Sequence, residues 1–242
     1  MAKRGAFIVI EGLDRSGKTT QTTLLHDRLV KCGISVNLYK FPDRTTSTGK
    51  MIDSYLRSQS EVDDRAIHLL FSANRWEAAE NMIQELKSGI TIVCDRYAFS
   101  GIAFSAAKAL PPLSTPSPGD VSTPAETPRT LTYEWCRAPD TNLPSPDLVL
   151  FLDVSPEVQK SRGGYGEERY EKEDVQRRVR SVFRRIESEF HQESESGAKT
   201  LRWIHIDAGR TLDEVSEDIW SGVEPLTGGV EEALARLWSG TP

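Results

Sequence analysis

The chain of 242 residues has little of what several large protein classes require. It has three cysteines, Cys32, Cys94 and Cys136, odd in number and widely spaced. That argues against a disulfide scaffold and against a cysteine-built metal site, and leaves small buried apolar residues as the default reading. No apolar run approaches the roughly 18 residues that suggest a bilayer-spanning helix, and no signal peptide is read. These absences point to a reducing compartment and to no membrane partner. Positive charge is also short. Lys and Arg number 30 against 36 Asp and Glu, a formal net charge of −6. A polynucleotide-binding surface is normally basic, so no nucleic-acid partner is expected. Mononucleotides stay open, because they need only a local basic pocket. No internal repeat occurs, and the length suits one large α/β domain better than two.

What is present is concentrated near the start. An apolar run over 6–10 ends at Glu11, and Gly12-Leu-Asp-Arg-Ser-Gly-Lys-Thr19 follows. This fits the phosphate-loop pattern G-x-x-x-x-G-K-[ST]. The glycines let the backbone turn its N–H groups toward phosphate oxygens, and the helix that follows adds its positive end. In such loops the lysine, here Lys18, reaches the β- and γ-phosphates, and the hydroxyl, here Thr19, binds Mg²⁺. The pattern implies a nucleoside triphosphate but not an acceptor.

Along the chain, the patterns predict helices over 17–31, 48–57 and 63–87, and strands over 35–40 and 90–94. Helices are predicted over 99–110 and 131–136, a strand over 147–153, and a helix opening at Ser155 with Pro156 in its first turn. A charged helix over 172–190 precedes a polar loop over 191–199. A strand over 203–206, a helix over 211–220 and a terminal helix over 231–238 complete the reading. The long helix over 63–87 has an apolar stripe interrupted by Asn74, Arg75 and Trp76. Phe71 and Arg75, four residues apart, share a face. Between 111 and 128 there are six prolines, which marks a surface insertion over about 111–129. Arg162-Gly-Gly-Tyr-Gly-Glu-Glu-Arg169-Tyr170 is glycine-broken and places two arginines in a loop suited to close over phosphates, a lid at about 162–171.

About five strands alternate with helices, so the fold class is α/β with a mainly parallel sheet in three layers. In such sheets ligands bind at the carboxyl ends of the strands. Residues 11–19, 41–44, 95–97 and 207–209 all begin there and are expected to converge. Asp95 suits the hydration shell of Mg²⁺ and Arg96 a phosphate. A GTPase would need Asn-Lys-x-Asp, and no Asn-Lys pair occurs. A motor would need more length, and a passive binder would have no use for a lid.

Five segments in order, Gly12–Thr19, Phe41-Pro-Asp-Arg44, Leu69-Leu-Phe-Ser-Ala-Asn-Arg-Trp76, Asp95-Arg-Tyr-Ala-Phe-Ser-Gly101 and Glu168-Arg-Tyr-Glu171, resemble eukaryotic thymidylate kinases. The resemblance runs through Trp220, and the Pro-rich insertion departs from it. It implies one domain over 1–242 with the P-loop NTPase fold, ATP as donor with Mg²⁺ held by Thr19 and by Asp95 through water, and dTMP as acceptor. By this resemblance Phe71 stacks on thymine, Arg75 bonds its exocyclic oxygen, and Arg44 and Arg96 hold the 5′-phosphate. Asp14 binds the 3′-hydroxyl, Tyr97 excludes a 2′-hydroxyl, and Phe41, Ser100, Gly101, Phe104 and Tyr170 line the pocket. Gly12, Asp14, Arg15, Ser16, Gly17, Lys18, Thr19, Thr20, Arg162, Ala208 and Arg210 form the ATP site, with Arg162 near the adenine. Arg15, Lys18, Asp95 and Arg96 carry catalysis, Arg15 as a built-in transition-state cation. A cis Phe41–Pro42 bond, a homodimer, and a cytoplasmic location, or a nuclear one as well, follow from the same resemblance. The alternatives are a kinase for another nucleoside or nucleoside monophosphate on the same fold, which as a deoxynucleoside kinase would need a base, with Glu11 the candidate, and a catalytically silent scaffold presenting the Pro-rich loop.

Overall fold

The computed structural model describes residues 3–111, 131–162, 168–195 and 201–239. Five strands, β1 (Phe7–Gly12), β2 (Val36–Lys40), β3 (Thr91–Asp95), β4 (Leu148–Asp153) and β5 (Arg202–Asp207), form one sheet in the order β2-β3-β1-β4-β5. Every pairing is parallel, with Val9 beside Cys94 on one flank and Val149 on the other. Successive strand residues point to opposite faces, which divides the apolar runs between two cores. Phe7, Val9, Ile92, Cys94, Val149 and Phe151 enter one, and Ile8, Ile10, Val93, Leu148, Leu150 and Leu152 enter the other. Continuous apolar runs are what a strand buried on both faces needs.

Helices α1 (Lys18–Lys31) and α8 (Leu212–Val223) cover the second face. Helices α3 (Asp64–Lys87), α4 (Ala98–Ala109) and α7 (Glu173–Glu195) cover the first, with α2 (Ser47–Leu56) packed against α3. Short helices α5 (Tyr133–Arg137) and α6 (Pro156–Ser161) complete the frame. Side-chain caps start several of them. Thr46 accepts from Gly49 N, Ser155 from Val158 N with Pro156 in the first turn, and Thr211 forms a capping box with Glu214.

Two predicted elements are corrected. Residues 191–195 continue α7 rather than forming a loop, because a helix exposed on one side tolerates a polar run. Residues 231–238 form no helix. Leu234, Leu237 and Trp238 have helical spacing, but the backbone there pairs with 142–145 through one antiparallel bridge, Pro144 with Arg236, and then turns. Leu237 N donates to Leu143 O at 2.9 Å, Asn142 N to Leu237 O at 2.9 Å and Ser145 N to Ala235 O at 2.9 Å. Leu237 and Trp238 are buried all the same. The predicted insertion over 111–129 lies outside the described residues beyond Pro111, as does 163–167 of the predicted lid.

Candidate active site

Gly12 ends β1 at φ 147°, and a Cβ there would lie 2.3 Å from the Leu152 carbonyl oxygen, so the pairing with β4 admits only glycine. Gly17 turns the chain into α1 at φ 89°. Lys18, the first residue of α1, folds back so that its ammonium donates to the Leu13 carbonyl and, at 3.3 Å, to Ser16 Oγ. Burial of the ammonium, with Arg96 nearby, pushes its pKa down to about 7. This loop therefore holds a lysine at a loss that an anion would relieve.

The Thr19 hydroxyl donates to Asp95 Oδ2 at 2.6 Å, and the Lys40 ammonium stands 3.3 Å from the same oxygen and 3.2 Å from Thr19 Oγ1. Burial alone would raise the Asp95 carboxyl, but Lys18, Arg96, the Thr19 hydroxyl and Lys40 hold it below its ordinary value. A hydroxyl beside an ionised carboxylate is the hard-oxygen set that Mg²⁺ takes, so these residues fit the ion that the resemblance implies.

Arg96 follows β3 at φ 68° and Arg15 sits in the loop at φ 60°. Both are left-handed non-glycine residues, costing roughly 1–3 kcal/mol each, and such strain gathers at functional sites. Arg96 donates to Gly12 O and Ser100 Oγ, both at 3.0 Å, and pairs with the Asp14 carboxylate. Asp14 is held in turn by two buried glutamines. Gln176 Nε2 donates to Asp14 Oδ2 at 2.8 Å, and Gln159 Nε2 donates to Asp14 O at 2.7 Å. Arg15 pairs with Glu171.

Glu11 is fully buried, and burial pushes its carboxyl up against the opposing pull of Arg96 and its hydrogen bonds. Tyr97 N at 2.9 Å, Ser100 N at 3.0 Å and Ser100 Oγ at 2.5 Å all donate to it. It is therefore an acceptor for the start of α4, which has no side-chain cap of its own. It does not line the cleft, which removes the support for Glu11 as a base toward a 5′-hydroxyl.

These groups bound a cleft of about 500 Å³ at the carboxyl ends of β1, β2 and β3. That size suits a small-molecule site. Arg15, Lys18, Lys40, Arg44, Arg75 and Arg96 outnumber Asp14, Asp95, Glu168 and Glu171 on its wall, a local basic pocket in an acidic chain. All eleven residues predicted for the acceptor line it: Asp14, Phe41, Arg44, Phe71, Arg75, Arg96, Tyr97, Ser100, Gly101, Phe104 and Tyr170. The Phe41–Pro42 bond is cis. Tyr97 is buried, its hydroxyl donating to Pro144 O at 3.1 Å, and the Phe104 and Tyr170 rings lie 5.4 Å apart. Arg44 spans Asp53 and Glu168, at 2.7 and 2.8 Å.

Of the predicted donor set, Asp14, Arg15, Gly17, Lys18, Thr19 and Thr20 line the same cleft, with Gly12 and Ser16 in the loop behind them. The segment after β5 does not reach this wall. Arg162 is directed to the loop from outside, donating to Arg15 O at 2.6 Å and to Ala208 O at 2.7 Å. Arg210 pairs with Asp218. Sequence reasoning missed Lys40, Glu171, Gln159 and Gln176. Glu171 ends a quoted motif and Lys40 ends a predicted strand, whereas nothing local marks the two glutamines.

A parallel sheet with a phosphate loop after its central strand, opening on a basic cleft whose wall also carries an aromatic ring and a buried arginine, defines a P-loop phosphotransferase. Comparison with known proteins narrows the class. The family model described as thymidylate kinase matches residues 10–113 and 125–219. Thymidylate kinase of Schizosaccharomyces pombe is 47% identical over 216 residues, covering 89% of this chain and 90% of its own. That of Danio rerio is 43% identical over 237 residues, covering 98% of each. The solved structure of thymidylate kinase from Candida albicans superposes with a TM-score of 0.79 at 35% identity, covering 98% of this chain and 99% of its own. The chain belongs to the thymidylate kinase family, whose reaction moves a phosphoryl group from ATP to dTMP and gives dTDP.

Proposed function

We propose that the cleft performs this reaction as an in-line transfer assisted by Mg²⁺, with the roles assigned to individual residues above. The carrying observation is that the phosphate loop and the Phe71–Arg75 face are walls of one cleft. The acceptor is itself a phosphate with a second pKa of about 6, largely dianionic at pH 7, so no general base is required. Catalysis then rests on positioning and on neutralising charge. Lys18 meets the donor phosphates and regains its proton there. Arg96, oriented by Asp14 and Ser100, holds the acceptor phosphate together with Arg44. Arg15 exchanges Glu171 for the transferred group. Thr19 and, through water, Asp95 would hold Mg²⁺, which when bound would neutralise charge on the phosphate oxygens.

Phe71 and Arg75 are the base-reading pair, and Tyr97 packs where a ribose 2′-hydroxyl would sit, favouring deoxynucleotides. Arg162, Ala208 and Arg210 belong to the adenine end. We read residues 1–242 as a single domain, active as a homodimer in the cytoplasm, or in the nucleus as well. Exposed Met51, Leu69 and Trp76 on α2 and α3 supply apolar surface for such a dimer. Among the described residues no helix is long and apolar enough to cross a membrane.

The test is purified protein with Mg-ATP and, in turn, dTMP, dUMP, dCMP, AMP and thymidine. Turnover of dTMP well above the others is expected. Turnover of thymidine alone would make the protein a deoxynucleoside kinase, and turnover of none would make it a silent nucleotide binder.

A further inference from the structure

The interruption in the apolar stripe of α3 has a partner. His68, Ser72, Arg75 and Trp76 fall at i, i+4, i+7 and i+8, one side of the helix. All four bond to residues 136–140, the stretch that carries the chain back from 112–130. His68 Nε2 meets Cys136 O at 2.8 Å, Trp76 Nε1 donates to Pro139 O at 2.8 Å, and Ser72 Oγ lies 3.1 Å from the same carbonyl oxygen. Arg75 makes the fork. Its Nε and Nη2 donate to Asp140 Oδ1 and Oδ2 at 3.0 and 2.7 Å, and Ser72 Oγ donates to Asp140 Oδ1 at 2.8 Å.

The Asp140 side chain is 0% exposed and that of Arg75 2%, yet the Arg75 side chain still lines the cleft. A buried guanidinium needs its counterion. A bidentate carboxylate also fixes the plane of the fork, which a single contact would not. Gly101 packs against the same group, where a Cβ would lie 2.7 Å from Nη2 and 2.9 Å from Nη1. The guanidinium is thus gripped along one edge by a carboxylate and approached so closely by Gly101 that any side chain there would displace it. The N–H groups that Asp140 does not take are the ones left for a ligand. Arginine only donates, so a fixed arginine accepts a carbonyl oxygen and rejects an amino group.

We propose that Asp140 is a positioning residue that sets base specificity. It acts through Arg75, aiming the remaining donors at an exocyclic carbonyl of the pyrimidine and against the amino group of cytosine. The inference rests on the reading of Arg75 as the base contact. Asp140 touches no substrate and takes no part in phosphoryl transfer.

Steady-state kinetics of the full chain with dTMP and dCMP at saturating ATP test it, using Asp140→Asn and the neutral pair Arg75→Gln/Asp140→Asn. For Asp140→Asn the KM for dTMP is expected to rise about ten-fold or more, with kcat within about three-fold and the KM for ATP unchanged. The ratio of kcat/KM for dTMP over dCMP is expected to fall by about ten-fold or more. A general structural defect would instead lower kcat and move the ATP constant. If Asp140→Asn keeps the wild-type ratio while the neutral pair loses it, the role of Asp140 is overturned and the reading of Arg75 stands. If the neutral pair also keeps the ratio, the reading of Arg75 fails, and the inference with it. Should Asp140→Asn fail to fold, Ser72→Ala removes one bond to the same carboxylate, and a KM for dTMP equal to wild type there overturns the proposal.

Discussion

The Arg15 guanidinium and the Glu171 carboxylate are paired at 2.8 Å from Nε to Oε1, tying the phosphate loop to the chain that follows residues 163–167. Arg15 is therefore on the cleft wall with its charge already balanced before nucleotide arrives. On the proposed reading it trades that partner for the transferred phosphoryl. Arginines supplied to phosphoryl transfer elsewhere are worth about 10³–10⁵ in rate. Arg15→Gly is expected to lower kcat by at least about 10²-fold with little change in dTMP affinity. A variant with near-normal kcat would sink the assignment.

Lys18 predicts a proton signature. Its pKa is held down at about 7, whereas an unfolded lysine keeps its proton to about 10.4. Between these values the unfolded chain binds more protons, so the contribution of Lys18 to stability is least favourable below pH 7 and improves as pH rises above it. Phosphates at the loop restore the charge. ATP binding at about pH 8 should then take up close to one proton, measured by calorimetry in buffers of different ionisation enthalpy. Lys18→Met should abolish the uptake. Binding of ATP to the wild type without any uptake would show that the ammonium is already charged.

His68 predicts an acid sensitivity away from the chemistry. Burial, with Arg75 nearby, lowers its pKa to about 4, and its ring nitrogens meet Ser105 Oγ and Cys136 O, both at 2.8 Å. Unfolded histidine titrates at about 6.5. The stability it contributes while neutral is present above that value and is lost as pH falls from about 6.5 toward 4. The melting midpoint of the wild type should drop faster over that range than that of His68→Gln. Parallel slopes would count against a neutral, buried imidazole.

The family match leaves out residues 114–124, inside the Pro-rich stretch. Replacing 112–130 by a short linker is expected to leave kcat within about three-fold, since loop length has a weak effect on closure. A loss of about 10²-fold or more would place that stretch in contact with the site or with a second subunit.

The parts of this fold legible in the sequence are those whose signal is local. β1, β3 and β4 are apolar runs buried on both faces, and the phosphate loop follows the first of them. The five quoted motifs also supplied the family, which the comparisons bear out. What escaped is set by partners distant in sequence. The segment 231–238 has helical spacing but is claimed by residues 142–145. Arg75 reads as a break in α3 until Asp140, 65 positions away, is seen beneath it. Gln159 and Gln176 look like surface residues of polar helices, and only the approach of the phosphate loop buries them against Asp14.

Glu11 stands one residue before the phosphate loop and receives the first turn of α4 on a single carboxylate. That carboxylate works as a spacer of fixed length. On the proposed roles of Lys18 and Arg96, it sets the span between donor and acceptor phosphates before either nucleotide arrives.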